Sequence, residues 1–202
     1  MPGRQTMGNL LIAGLTAIML MVPTLTGATV EQNGARFDER IEQAGERLRL
    51  TGTGVAKYRI VFTVYAAGLY LPPDADADQA LATDTPRRLE IEYFHDISAE
   101  DIIRAANTKL DEQLSPARQT RLQPKIDRFH ALFQAVSDGD RYRMEYIPGE
   151  GTRLAFNGKP VGQVAGGDFA AAYFGIWLDA DDPLSRGLRR DLLAGAESSG
   201  TD

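Results

Sequence analysis

Residues 55–71 read VAKYRIVFTVYAAGLYL and are stopped at once by Pro72-Pro73. The run is dense in β-branched and aromatic residues, which suit a pleated, half-buried surface, and it contains no proline. It exceeds an ordinary strand of roughly 5–6 residues. It therefore predicts one long strand or a tight strand pair at the heart of a sheet. Alternation gives two faces if the strand is unbroken. Ala56, Tyr58, Ile60, Phe62, Val64 and Ala66 form an apolar face suited to the core. Lys57, Arg59, Val61, Thr63, Tyr65 and Ala67 form a face of cations, a hydroxyl and a phenol among small residues. That second face suits a pocket lining or a solvated surface equally well.

Outward from this stretch the chain alternates strand and helix signals. Before it, Thr29–Leu50 holds two short strand candidates, around Gly34-Ala35-Arg36-Phe37 and Arg47-Leu48-Arg49-Leu50, and Thr51-Gly52-Thr53-Gly54 reads as a turn. After it, Asp74–Asp84 is acidic and alanine-rich, with one short helix expected at 77–82. Residues 88–94 alternate Leu89, Ile91 and Tyr93 against Arg88, Glu90, Glu92 and Phe94, a strand with one buried and one largely polar face. Ser98 and Asp101 make a capping-box start for a helix carrying Ile103, Ala106, Leu110 and Leu114 on one stripe. Ser115-Pro116 opens a second helix that Pro124 kinks or divides. Its apolar stripe is Ile126, Phe129, Leu132 or Phe133, and Val136. Residues 141–147 form a strand with Tyr142, Met144 and Tyr146 together. Asn157-Gly158 predicts a type I′ hairpin between 152–156 and 160–164. Asp168 is expected to cap a helix reaching Leu178, and a last helix spans 185–193. Strands early, helices in the middle, then a hairpin and closing helices make an α+β domain, its sheet predominantly antiparallel with helices layered on one face.

Composition narrows the chemistry. The chain has 202 residues, enough for one substantial core, with 43% hydrophobic and 25% charged residues. A net charge of −6 without a Lys/Arg-rich block argues against nucleic acid as a partner. The absence of cysteine removes disulfides, thiol catalysis and thiolate metal sites. Two histidines, His95 and His130, neither near a nucleophile-elbow motif, and aspartate clusters without EF-hand spacing imply no metal and no cofactor. At the N-terminus Arg4, the apolar run 10–22, Pro23 and Thr26-Gly27-Ala28 match a secretory signal peptide cleaved after Ala28. The run is shorter than the ~20 residues of a spanning helix, so no stable membrane span is expected after cleavage. Arg4 is the one charged residue in 1–28, so the mature net charge becomes −7. The expected organisation is a signal peptide at 1–28, a domain at 29–193 and a disordered Gly/Ser tail at 194–202, with export to the periplasm.

Several short runs, in this order, resemble the bacterial chalcone isomerase-like family. They are Gly52-Thr53-Gly54-Val55, residues 64–71 (VYAAGLYL), Asp138-Gly139-Asp140, residues 146–152 (YIPGEGT), Asn157-Gly158, Asp168-Phe169 and residues 175–178 (GIWL). The resemblance extends from about residue 48 to 193. It implies an open-faced β-sandwich whose large sheet carries a helical layer, with a ligand cleft between the central strands and the helices. It also implies relatives of two kinds, plant enzymes that close chalcones to flavanones and non-catalytic members that bind fatty acids. The enzymes' oxyanion-holding arginine falls at Ala56. Their strand threonine falls at Tyr65, similar to the tyrosine of the fatty-acid-binding members. Their helical tyrosine and asparagine fall near Arg118 and Lys125, and a late polar position near Trp177. Without the guanidinium the largest electrostatic term in catalysis is missing, one donor being worth roughly 10²–10³ in rate. The expectation is a non-catalytic protein holding a small apolar or amphipathic molecule such as a fatty acid. Tyr65, Lys57, Arg59 and Thr63 would form the polar end of its pocket, with Tyr70, Phe133 and Trp177 among the apolar walls. The alternative is an isomerase or intramolecular lyase acting on a chalcone-like phenolic or enone substrate.

Overall fold

The computed structural model describes residues 27–58 and 62–196. The signal-peptide reading therefore falls, but for Gly27 and Ala28, outside the described residues, as does the tail from 197 onward. Short polar runs bounded by glycine pair first: β1 (Thr29–Gln32) and β2 (Ala35–Asp38) make a two-stranded ribbon. Seven strands then form one sheet, β3 (Arg40–Gln43), β4 (Glu46–Tyr58), β5 (Phe62–Leu71), β6 (Arg87–Tyr93), β7 (Arg141–Ile147), β8 (Gly151–Phe156) and β9 (Lys159–Val164). They lie side by side in sequence order, every neighbouring pair antiparallel. Among the described residues four helices complete the domain: α1 (Ala99–Gln113), α2 (Pro116–His130), α3 (Gly167–Leu178) and α4 (Arg186–Leu193). This is the expected α+β architecture, an open-faced sandwich with helices on one face of an antiparallel sheet.

Register explains the two faces. Leu89, Ile91 and Tyr93 of β6 share rungs with Leu69, Ala67 and Tyr65 of β5, and Leu89 and Ile91 with Met144 and Tyr142 of β7. All are buried in the main core beneath the helices. On the opposite face the expected polar stripe of β6 is matched charge against charge. Arg88 sits opposite Glu145 and Glu92 opposite Arg141. Arg88 reaches Glu145 at 2.6 Å, and Arg141 binds Glu90 at 2.8 Å and Glu92. Opposite-charge cross-strand pairs stabilise a sheet where like charges would not. The β1–β2 ribbon covers part of this face with a second small core of Ala35, Phe37, Leu48, Ala66 and Tyr70.

Several expectations are corrected. Of the two readings of residues 55–71 the strand pair holds, β4 ending at Tyr58 and β5 beginning at Phe62, so the face assignment for an unbroken strand fails. Phe62, expected on the core face, is 61% exposed, and Ala66 belongs to the second core. Thr51–Gly54 is not a turn but the middle of β4. Its glycines admit α4: a Cβ on Gly52 would lie 2.0 Å from the Asp191 carbonyl oxygen, and one on Gly54 2.7 Å from Leu188 Cδ1. Residues 77–82 form only a single 3₁₀ turn at Ala77–Gln79. α2 runs through Pro124 without a break and ends at His130, so Leu132, Phe133 and Val136 lie beyond the helix, Val136 bridging Ile97. Gly166, at φ 108°, precedes α3 in the position expected for Asp168. The Asp168 carboxylate instead accepts from Lys125 Nζ at 2.7 Å and from the Phe169 N–H at 2.8 Å. Asn157 and Gly158, at φ 48° and 77°, form the expected hairpin turn.

Candidate functional site

A β-bulge shapes the site. Ala56 pairs with Tyr65 and the next residue, Lys57, with Thr63, which leaves Val64 as an extra residue on β5. A bulge bends its strand and redirects the side chains beside it. Consecutive residues on both strands, Ala56 and Lys57, Val64 and Tyr65, thus line one cavity of about 1020 Å³ between sheet and helices. Its floor is Leu89, Ile91 and Tyr93, continued by Tyr142 and Met144 and by Leu154 of β8. Ile102 and Ala106 of α1, Tyr173, Ile176 and Trp177 of α3, and Phe133 close it from above. Charged and polar groups gather toward the opening: Lys57, His95, Asp96, Asp101, Arg104 and Ser185. Arg104 is held by Asp101 at 2.8 Å and Glu100 at 2.9 Å. Among the described residues Lys57 has no carboxylate within ion-pair distance.

The polar atoms deep in the cavity belong to neutral aromatic side chains. The indole N–H of Trp177 donates to the Tyr65 hydroxyl at 2.8 Å. That bond occupies an acceptor site of Tyr65 and leaves its O–H proton to donate elsewhere. Tyr65, Tyr93 and Tyr142 meet edge to face, with ring centroids 5.6 and 6.3 Å apart. The Tyr142 hydroxyl is satisfied by the Gln134 backbone, donating at 3.0 Å and accepting at 2.8 Å. Burial pushes the Tyr65 phenol up to about 12, against the opposing pull of the Trp177 bond. Burial also raises Tyr93 and Tyr173 above the usual phenol range, with neighbouring tyrosines adding to it. All three stay protonated at neutral pH and offer hydrogen bonds without charge.

The structure brings four of the sequence-selected residues together here: Tyr65, Lys57, Phe133 and Trp177. Thr63, opposite Lys57, does not line the cavity, because the bulge turns Val64 into it instead. Tyr70 is corrected outright. It lies an odd number of residues from Tyr65 and so points through the other face into the second core. There its hydroxyl has no partner among the described residues. Arg59 lies outside the described residues. Missed as site residues were Tyr93, Tyr142, Met144 and Tyr173, read from the sequence only as buried faces. The available signal was the number of phenols on those faces, since a buried Tyr usually needs a partner for its hydroxyl.

An apolar cavity between an antiparallel sheet and its helical layer, polar at one opening, is the layout of a chalcone isomerase-like domain. Residues 29–194 match the family described as chalcone isomerase-like, and the chain belongs to that family. No curated protein sequence matches the chain. Among solved structures, the fatty-acid binding protein AtFAP1 of Arabidopsis thaliana is similar with a TM-score of 0.67 and 16% sequence identity, over 84% of this chain and 97% of that one. At that identity the likeness is one of fold.

Proposed function

We propose that the protein binds, without converting it, an amphipathic molecule with one apolar chain, such as a fatty acid. The observation that carries this reading is a cavity of about 1020 Å³ whose described interior holds no charged side chain and whose charges stand at the opening. The volume is at the upper end of the ~300–1,000 Å³ of small-molecule sites. An isolated carboxylate buried in such an interior would be strongly disfavoured. The tail therefore enters among Ile91, Met144 and Ile176, while the head stays near Lys57, with Arg59 as the second cation by its position in the sequence. The fatty-acid binding protein of the same fold supports the reading.

Two features favour binding over turnover. Ala56 lines the cavity where the family resemblance places the enzymes' arginine. Tyr65, with its phenol at about 12, supplies no phenolate base at neutral pH. Titration with a fluorescent fatty acid tests the reading, and absence of binding overturns it. Replacing both Lys57 and Arg59 by alanine tests the head-group assignment, which undiminished affinity would sink. Loss of chalcone absorbance on incubation with the protein would establish the isomerase alternative. Export to the periplasm, with cleavage after Ala28, belongs to the same proposal. Mass spectrometry of the chain recovered from an envelope fraction checks it, an intact N-terminus counting against it.

A further inference from the structure

Among the described residues two large apolar side chains are prominently exposed, Phe62 at 61% and Leu184 at 42%. A single exposed apolar residue is ordinary and needs no explanation. Here both stand on the lining of one opening, that of the apolar cavity. They come from different elements. Phe62 is the first residue of β5, paired with Tyr58 at the end of the β4–β5 ladder. Leu184 immediately precedes Ser185, the N-cap of α4. At Leu184 the position is held: its N–H donates to the Ile176 carbonyl at 2.7 Å, which ties it to α3. The backbone is thus fixed while the side chain is held in water, a cost that a contact with something apolar would relieve.

We propose that this rim docks on a lipid bilayer, Phe62 and Leu184 entering the acyl boundary, so that the cavity opens toward the membrane and exchanges its ligand there. The exchange rests on the reading of the cavity as a lipid site; the docking does not. Two observations favour a bilayer over a protein partner. The exposed side chains continue an apolar interior outward, which suits a molecule passing from acyl chains into the cavity. Lys57, exposed beside them and without an ion-pair partner among the described residues, complements an anionic headgroup. The other charges at the opening are Asp101, paired with Arg104 at 2.8 Å, and Asp96.

The chain contains no cysteine, so one introduced thiol reads one position. A nitroxide on Leu184→Cys is compared with one on Lys159→Cys, an exposed site in the β8–β9 hairpin. Both are mixed with vesicles of phosphatidylethanolamine and phosphatidylglycerol in a three-to-one ratio. The expected result is that the label at 184 moves out of reach of a water-soluble relaxing agent while the label at 159 does not. Adding Phe62→Ser, at an exposed site where folding is little affected, lowers the vesicle-bound fraction of the 184 label about tenfold, the scale of one buried aromatic side chain. A label at 184 that stays in water overturns the proposal. So does one that is immobilised only by envelope proteins and not by lipid. Fatty-acid affinity of the same labelled chains is measured without vesicles. Binding without vesicle contact removes the docking alone, and vesicle contact without binding removes only the ligand reading.

Discussion

Trp177 of α3 and Tyr65 of β5 are joined by a 2.8 Å hydrogen bond across the cavity, the indole N–H donating to the phenol oxygen. The bond holds the helical layer to the central strand where the sheet is bulged. A hydrogen bond of this kind contributes about 0.5–1.5 kcal/mol net. Trp177→Phe and Tyr65→Phe should each lower stability by that order, and the double variant should cost less than their sum. Urea unfolding of the four chains measures the coupling. Strict additivity would show that the two side chains are merely neighbours.

Five phenols are held above the ordinary value of 10 mainly by burial: Tyr65, Tyr70, Tyr93, Tyr142 and Tyr173. A phenol whose folded pKa is raised keeps its proton in the native chain while the unfolded chain loses it. Its stabilising contribution is complete below pH about 10 and declines as pH rises from there through the folded value, about 12 for Tyr65. Each such phenol removes roughly 1.4 kcal/mol per pH unit within that window. Arg87, pushed down to about 10 by burial, opposes this trend as one group against five. Phenolate absorbance and loss of far-ultraviolet circular dichroism should therefore rise together above pH 10. Full phenolate absorbance in a chain that keeps its circular dichroism would refute the burial of these rings.

Arg87 is fully buried, and among the described residues it has no ion-pair partner. Its Nη1 donates to the carbonyls of Ala80, Ala82 and Thr85 at 2.9–3.1 Å, and its guanidinium lies 4.4 Å from the Tyr146 ring centre and 4.9 Å from that of Phe174. The group ties the loop after β5 to the core. Arg87→Ala leaves those carbonyls short of a donor and opens a void. Stability should fall by about 3 kcal/mol or more, and proteolysis should begin within residues 74–86. An equally stable, equally protected chain would show that the loop holds without it.

What could be read in the sequence follows from how local each signal is. Asn157-Gly158 fixes its own turn, and the alternation of residues 88–94 and 141–147 needs only the neighbouring strand, so these elements were legible. Gly52 and Gly54 carry a signal with two meanings, a turn or a close approach. The partner that decides, α4, lies at the other end of the chain. The site divides in the same way. Tyr65, Phe133 and Trp177 were legible as aromatic residues on elements that could face one another. Thr63 was not separable from them, because a bulge at Val64 leaves no mark in composition yet exchanges which side chain faces the cavity. Tyr70 could have been excluded by parity alone, since alternation within β5 already sets it opposite Tyr65.

The approach of α4 gives a sharper test. A methyl on Gly52 would meet the Asp191 carbonyl oxygen at 2.0 Å and that of Leu192 at 2.9 Å, both backbone atoms. The helix must shift, and overpacking of this kind costs typically 1–3 kcal/mol. Thr51 Oγ1, which reaches the Leu192 carbonyl at 2.8 Å and the Leu69 carbonyl at 3.1 Å, keeps only the second when the helix shifts. Gly52→Ala should lower the unfolding midpoint and loosen α4 in hydrogen exchange. Gly34→Ala, at φ 93° with open space around it, is the control. It strains only its own turn and should leave α4 protected.

The cavity predicts how affinity depends on the ligand. If the tail lies among Leu89, Ile91 and Met144, each added methylene removed from water contributes about 0.8 kcal/mol, or roughly fourfold in affinity. That gain should continue along a series of saturated fatty acids until the chain outgrows the closed end, then stop or reverse. Met144, 4% exposed at the middle of the floor, is the place to shorten the space. A tryptophan there projects into an existing hollow rather than into packed side chains, so the fold should survive. Met144→Trp should move the break in the series to shorter chains and weaken the longest ones at least tenfold. Lys57→Ala should instead weaken every member by the same factor, because it acts on the head and not on the tail. Isothermal titration of both variants against the series separates the two effects. A Met144→Trp protein whose affinities track the wild type at every length would place the tail outside this cavity.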